Sequence, residues 1–177
     1  MRYFLLEGLT RRPLTEAAPA PDPGAGDELA EALARNVRTK LGRSLSIRHV
    51  DAGSCNGCEL ELQALSNPFY DLERFGLHFV ASPRHADVLT VTGPVTRNMA
   101  EALRRTYDAM PDPKWVIAIG DCAREGGCFA GSYAIVGGVN AVVPVDIHIS
   151  GCPPDPTALL KGLLALVERM GVRARPG

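Results

Sequence analysis

Apolar and polar residues alternate along residues 45–170 in two different patterns. Continuous apolar runs, as in KWVIAIG at 114–120, are typical of strands buried on both faces of a parallel sheet. Apolar residues three and four positions apart, as in 156–170, are typical of a helix with one buried face. Strands that alternate with helices predict a doubly wound, mostly parallel α/β sheet. The predicted strands are 45–50, 77–81, 87–92, 114–120 and 144–150, and the predicted helices run from the turn at 55–58 to about residue 65, over 98–110 and over 156–170.

The first 44 residues have a different organisation. Residues 1–10 are apolar but too short to fold alone, so we expect them to dock on a neighbouring subunit or on this domain. Residues 11–26 carry four prolines, as an extended linker does. From Asp27 to Leu41, apolar residues at every fourth position predict a short amphipathic helix, whose narrow apolar stripe favours a place on the surface. The predicted domains are a docking segment, linker and helix at 1–44, an α/β domain at 45–171 and a tail at 172–177.

Composition narrows the class of function. The 177 residues are enough for one domain with its own core. With 19 basic against 20 acidic residues the chain is near neutral, which argues against a nucleic-acid partner. Its 46% hydrophobic and 22% charged residues suggest that other subunits cover part of the surface. The sequence has no apolar run long enough to span a bilayer and no signal-peptide pattern. Its odd number of cysteines favours a reducing compartment.

Four of the five cysteines follow predicted strands. Cys55 and Cys58 come after the first strand on a Gly-containing turn, Cys122 comes two residues after the fourth strand, and Cys152 two residues after the fifth. The carboxyl ends of parallel strands lie at one edge of a sheet, where ligands bind in open α/β folds. Cysteines spaced as C-x2-C-x63-C-x29-C are therefore predicted to converge on one centre.

The spacing of the four cysteines distinguishes between several kinds of site that thiols can form. A zinc ribbon uses two close pairs, and a thioredoxin-like dithiol needs only Cys55 and Cys58, which leaves Cys122 and Cys152 without a role. Cys152 is followed by Pro153, as in bacterial ferredoxin motifs, and nearby glycines let backbone amides approach cluster sulfurs. These residues favour one 4Fe-4S cluster held by four thiolates, with zinc as the alternative.

Other residues near the cysteines have simpler interpretations. Glu59 and Glu61 stand at a predicted helix start, where the helix dipole favours acids, so we expect a structural role, with proton transfer as the alternative. Cys128, six residues after Cys122, is expected to be a buried small apolar residue rather than a fifth ligand. The glycines at 126–138 lack the P-loop and dinucleotide-binding patterns, so no nucleotide site is predicted.

Six segments form an ordered set of motifs within about residues 45–168. They are C-N-G-C-E-L-E (55–61), Y-D-L-E-R-F-G (70–76), S-P-R-H-A-D-V (82–88), T-G-P-V-T-R-N-M (92–99), G-D-C-A-x-x-G-G (120–127) and G-C-P-P (151–154). The set resembles the small iron-sulfur subunit shared by respiratory complex I and membrane-bound NiFe hydrogenases. The resemblance implies a flavodoxin-like fold and a large subunit that carries the active site. It also implies one 4Fe-4S cluster at the carboxyl ends of the strands, held by Cys55, Cys58, Cys122 and Cys152.

Within that family the first cysteine pair separates two branches. Complex I members have adjacent cysteines there, whereas two residues separate Cys55 from Cys58, as in hydrogenase small subunits. With the short chain, this resemblance indicates the energy-converting, formate hydrogenlyase-like branch, in which the chain transfers electrons and catalyses nothing itself. A complex I-type subunit that passes electrons to quinone is the alternative. The implied partners are a NiFe-bearing large subunit, a ferredoxin-like two-cluster subunit and membrane-arm subunits, with the chain peripheral on the cytoplasmic side of the cell membrane.

Overall fold

Five parallel strands form the central sheet of the computed structural model, which describes residues 25–173 and the side chains of residues 26–170. The five are β1 (Leu45–Asp51), β2 (Leu77–Phe79), β3 (Val88–Thr92), β5 (Trp115–Ile119) and β7 (Ile147–Ile149). Two further strands, β4 (Val95–Thr96) and β6 (Ile135–Gly137), pair antiparallel beside this sheet. The helices are α1 (Ala25–Leu41), α2 (Gly57–Ala64), α3 (Arg97–Asp108), α4 (Asp121–Glu125) and α5 (Pro156–Arg173).

The strand order is that of a flavodoxin-like fold. Across the sheet the strands run β2-β1-β3-β5-β7, so the chain moves outward from β1 to β2 and then crosses to the other side of β1. The order therefore reverses between β1 and β3, the topological switch point beside which ligands bind in such sheets. The predicted fold class is confirmed, and all five predicted strands are present.

Side chains on the two faces of the sheet enter two separate cores. Ile47, Ile117 and Ile149 face the core beneath α1, α2 and α5, whereas Val91 and Ala118 face the core beneath α3. Every residue of β3 and of β5 is buried, because these strands lie inside the sheet and are covered on both faces. This double burial explains the continuous apolar runs in the sequence.

Helix α1 is more deeply packed than its narrow apolar stripe predicts. Ala30, Leu33 and Val37 are each at most 3% exposed, and the helix packs against α5. The side chain of Lys40 donates to the carbonyl oxygen of Glu168 on α5 at 2.6 Å, which joins the two helices near their ends. Ala30, a small residue, widens the buried stripe, while the opposite face of α1 is exposed, as expected for a helix on the surface of the domain. The predicted docking segment at 1–10 lies outside the described residues, as does nearly all of the predicted linker.

The β4–β6 pair and α4 were not predicted. Each element is too short to show a hydrophobic period, and the sequence around β6 is rich in glycine. The pair nevertheless positions the glycine-rich segment after α4, because it joins this segment to the loop after β3.

We expect Leu33→Ala to lower the free energy of unfolding by about 2–5 kcal/mol, because it leaves a cavity at the fully buried contact between α1 and α5. The half-buried Leu29 is the matched control, and Leu29→Ala should cost less than half as much. Urea titration followed by circular dichroism measures both. Equal losses from the two variants would contradict the packing described for α1.

Candidate metal centre

Three loops bring the four predicted ligands to one edge of the sheet. Cys55 and Cys58 lie where β1 passes into α2, Cys122 lies in the first turn of α4 after β5, and Cys152 lies in the loop after β7. Because β1, β5 and β7 belong to the same parallel sheet, their carboxyl ends share one edge. Sequence reasoning predicted this location.

Close contacts join the three loops. A Cβ atom added to Gly120, on the loop before Cys122, would lie 2.7 Å from the Sγ atom of Cys58. One added to Gly57, inside the C-x-x-C turn, would lie 3.8 Å from Pro153 on the loop after β7. The second and third loops therefore both adjoin the turn that carries the first cysteine pair.

The thiols also act on each other electrostatically. The pKa of Cys58 is raised to about 11, first because the thiol is buried and then because Cys55, Cys122 and Cys152 lie nearby. Burial likewise raises the pKa of Cys122, with further contributions from Cys128 and Cys152. All four predicted ligands are thus close enough to interact.

A 4Fe-4S cluster and a single zinc ion need different spacings of their thiolate ligands. Within residues 26–170, no three His, Cys, Asp or Glu side chains are grouped tightly enough to hold one metal ion. Around one tetrahedral zinc, sulfur atoms lie about 3.8 Å apart, because each Zn–S bond is about 2.3 Å long. In a 4Fe-4S cluster each thiolate binds a different iron atom, so the sulfur atoms stand farther apart.

Two glycines let the backbone lie directly against sulfur. Gly120 and Gly127 have φ angles of +88° and +53°, which residues other than glycine rarely adopt. A Cβ atom at either position would lie 2.7 Å from a sulfur atom, that of Cys58 or Cys122 respectively. Cys58 also lies in the first turn of α2, where unpaired backbone N–H groups favour a negative thiolate. The two glycines therefore leave room for the sulfur atoms of Cys58 and Cys122, which any larger residue at these positions would displace.

Asp121 connects the second and third loops. Its backbone N–H donates to the carbonyl oxygen of Gly151 at 3.0 Å, and its carboxylate accepts from the N–H of Gly151 at 3.2 Å. The N–H of Gly120 also donates to the carbonyl oxygen of Ile149 at 2.7 Å. No local pattern predicts these contacts, because the partners are about 30 residues apart and meet only when β5 pairs with β7.

Cys128 is exposed, so the expectation that it is buried is wrong. Gly126 and Gly127 both have positive φ angles and turn the chain outward just before it. Phe129, the next residue, is also exposed, at 40%. This surface position lies beside the Cys122 loop, which places an apolar surface next to the candidate centre.

Comparison with known proteins adds two findings. The sequence model of the family described as "NADH ubiquinone oxidoreductase, 20 Kd subunit" matches residues 55–166, which include all four predicted ligands. A solved structure of the membrane-bound sulfane sulfur reductase, an archaeal respiratory membrane complex, contains a chain with 35% sequence identity to this one. The match covers 82% of this chain and 79% of that chain, with a TM-score of 0.67.

We expect Gly120→Ala to remove most of the metal bound by the chain, because the added methyl group would press on the sulfur of Cys58. Gly131→Ala is the matched control, since Gly131 has a similar φ of +80° but nothing within 4 Å of an added Cβ atom. Both substitutions put a side chain at a positive φ and should lower stability, and Gly120→Ala should cost more, because a ψ of 161° places Gly120 in a region that is essentially restricted to glycine. Metal analysis of the purified proteins separates them, and equal metal content in both would show that Gly120 does not matter for the centre.

Proposed function

The chain belongs to the family of the 20 kDa subunit of NADH ubiquinone oxidoreductase, and on this basis we propose that it is the electron-transfer small subunit of a membrane-bound NiFe hydrogenase. The proposed complex is of the energy-converting, formate hydrogenlyase-like type. The chain contributes one 4Fe-4S cluster and no catalytic residue. When bound, such a cluster accepts and donates single electrons.

The convergence of four cysteines at the switch-point edge of the sheet carries this proposal. We assign Cys55, Cys58, Cys122 and Cys152 as the cluster ligands. The glycines against their sulfur atoms bring backbone amides close, and hydrogen bonds from amides to sulfur are one means by which proteins set a cluster potential. The chain's own contribution is to hold four thiolates in place and to control water and charge around them.

The first cysteine pair supports the hydrogenase branch. Asn56, between the two cysteines, has a φ of +73°, and α2 begins at the next residue, so the turn presents two separated thiols. Complex I-type subunits have adjacent cysteines there, which makes a quinone-linked role the second candidate. The related chain belongs to a complex named for sulfane sulfur reduction, so the identity of the large subunit decides the substrate.

An uncharged surface supports contact with a large catalytic subunit. No charged residue occurs at positions 126–145, directly after the Cys122 loop. Within this segment, Phe129, Tyr133 and Val136 are 40%, 89% and 46% exposed. Exposed aromatic and apolar side chains without charges are typical of the centre of a protein–protein interface. We propose that the NiFe-bearing subunit covers the mostly exposed residues 128–136 of this segment and the adjacent cluster.

The resemblance to the family supports a proposal for the remaining partners and the location. In the part of the chain from residue 25 to 173, no helix is both long and apolar enough to cross a bilayer. We propose that the chain is a peripheral subunit on the cytoplasmic side of the cell membrane. It would receive electrons from a ferredoxin-like two-cluster subunit and be held on membrane-arm subunits.

Metal analysis of the purified chain and activity measurements on the purified complex test the function. We expect about four iron and about four acid-labile sulfide in the purified chain, and hydrogen production or uptake by the complex. One zinc without sulfide would end the proposal of a redox role. Iron and sulfide together with quinone reduction and no hydrogen chemistry would favour the complex I-type alternative.

We expect Tyr133→Asp to weaken binding to the large subunit about tenfold or more. The substitution buries an unpaired charge in the proposed interface. Burying such a charge costs more than about 1.4 kcal/mol, the free energy that corresponds to a tenfold change in affinity. Ala102→Asp, on the exposed side of α3, is the matched control and should leave assembly unchanged. Co-purification of the two subunits measures the effect. Normal assembly of the Tyr133 variant would place the large subunit elsewhere.

A further inference from the structure

In the described part of the chain, two large apolar side chains are exposed outside the segment at 128–136. Leu60 of α2 is 57% exposed, and Phe69, in the turn after α2, is 73% exposed. No charged residue occurs at positions 62–70. We call the exposed residues 60, 63 and 66–69 the α2 surface. Exposed apolar side chains without charges between them are typical of a surface that another segment covers.

The α2 surface continues along one side of the helix. Leu60, Gln63 and Asn67 are three and four positions apart, which places them on the same face. Beyond Ala64 the chain makes a further helical turn, because the N–H of Asn67 donates to the carbonyl oxygen of Ala64 at 3.1 Å. Phe69 follows directly on this turn, so Leu60 and Phe69 lie at the two ends of one surface.

Phe69 is held in its exposed position. The side-chain oxygen of Asn67 accepts the N–H of Phe69 at 2.9 Å and the N–H of Tyr70 at 3.0 Å. The ring of Phe69 meets that of Tyr70 edge-on, with 4.9 Å between the ring centroids. An aromatic side chain that is already fixed loses little conformational freedom on binding, so Phe69 is suited to anchor a contact.

The described part of the chain begins beside this turn. A Cβ atom added to Gly26 would lie 3.9 Å from the ring of Tyr70, which in turn contacts Phe69. Helix α1, which starts at Ala25, is packed against α5, so the junction is fixed on the domain. Residues 1–24, which lie outside the described part, are therefore joined to the domain one aromatic ring away from Phe69.

Residues 1–10 have the composition that such a surface needs. They include Tyr3, Phe4 and leucines at positions 5, 6 and 9, with only one basic and one acidic residue. The 14 residues at 11–24 that join them to α1 span up to about 46 Å when extended, which is ample for this distance. A tether of this length keeps the local concentration of the segment at about millimolar, which favours contact with its own domain.

A groove along α1 also opens at this junction, but it does not suit an apolar segment. Its lining includes Asp27, Glu31, Arg35, Arg38 and Arg74. An apolar segment in this groove would remove water from charged groups without replacing its hydrogen bonds, which is unfavourable. The uncharged α2 surface has no such cost.

We propose that residues 1–10 of this chain bind the α2 surface and cover Leu60 and Phe69. The contact removes apolar side chains of both parts from water, which favours it. It also covers α2, the helix that carries Cys58 in its first turn, and so supports the cysteine turn from outside. The docking segment predicted from the sequence is thereby assigned to its own domain rather than to a neighbouring subunit.

Photo-crosslinking of the whole chain tests this contact. The photoreactive residue p-benzoylphenylalanine in place of Phe69 keeps an aromatic side chain at the exposed position and bonds to neighbouring groups on illumination. We expect crosslinks to the tryptic peptide at 3–11 of the same molecule, at the mass of one chain. The same probe at Tyr133, which is 89% exposed, is the matched control and should give no crosslink to this peptide.

Hydrogen exchange gives a second measurement that needs no probe in the domain. In a variant that lacks residues 1–10, the amides of residues 60–67 should exchange several-fold faster than in the whole chain, because their cover is gone. The amides of β5, which is buried inside the sheet, should be unchanged and show that the domain remains folded.

Three results would overturn the proposal. The first is equal exchange at residues 60–67 in the two chains. The second is an absence of crosslinks from position 69. The third is crosslinks that run only to another molecule, either a second copy at the mass of a dimer or a different subunit when the complex is illuminated. Both measurements are made on the chain itself, so their outcome is independent of the bound metal group and of the proposed function.

Discussion

Parallel pairing of β1, β3, β5 and β7 is the interaction on which the candidate centre depends. Asp51, Thr92, Ile119 and Ile149 are paired in one row across these four strands, close to their carboxyl ends. The loops that follow therefore begin at the same level, although they are distant along the chain. A slip in the register of one strand would carry its cysteine away from the others, so the centre exists only while the sheet is correctly paired.

The same convergence is unfavourable for the thiols when nothing is bound. Burial and three neighbouring thiols raise the pKa of Cys58 to about 11, which disfavours the thiolate at neutral pH. A bound metal group reverses this preference, because it takes the deprotonated sulfur and brings positive charge. Binding is thus coupled to the release of protons, and the bound group in turn stabilises the loops that hold it.

The sequence predicted those features that depend on local pattern. The five strands and the cysteines at their ends were visible because buried parallel strands are continuous apolar runs with a fixed direction. Features that depend on distant partners were not visible. The contact of Glu59 with Thr92 joins residues 33 apart, and α1 is buried by α5, more than a hundred residues later. The exposure of Cys128 was missed because it depends on two backbone angles at glycines, which composition does not reveal.

The candidate centre and the uncharged surface beside it form one feature. Cys58 is buried against the sheet, whereas Cys55 and Cys152 are exposed, so this chain covers a group held between them on one side only. A cluster left open to water on its other side would have its potential set largely by solvent. A second chain seated on the mostly exposed residues 128–136 would exclude that water and gain apolar contact area at the same time. In the proposed complex, the need to close the site from outside would account for a segment without charge in a chain that is 22% charged overall.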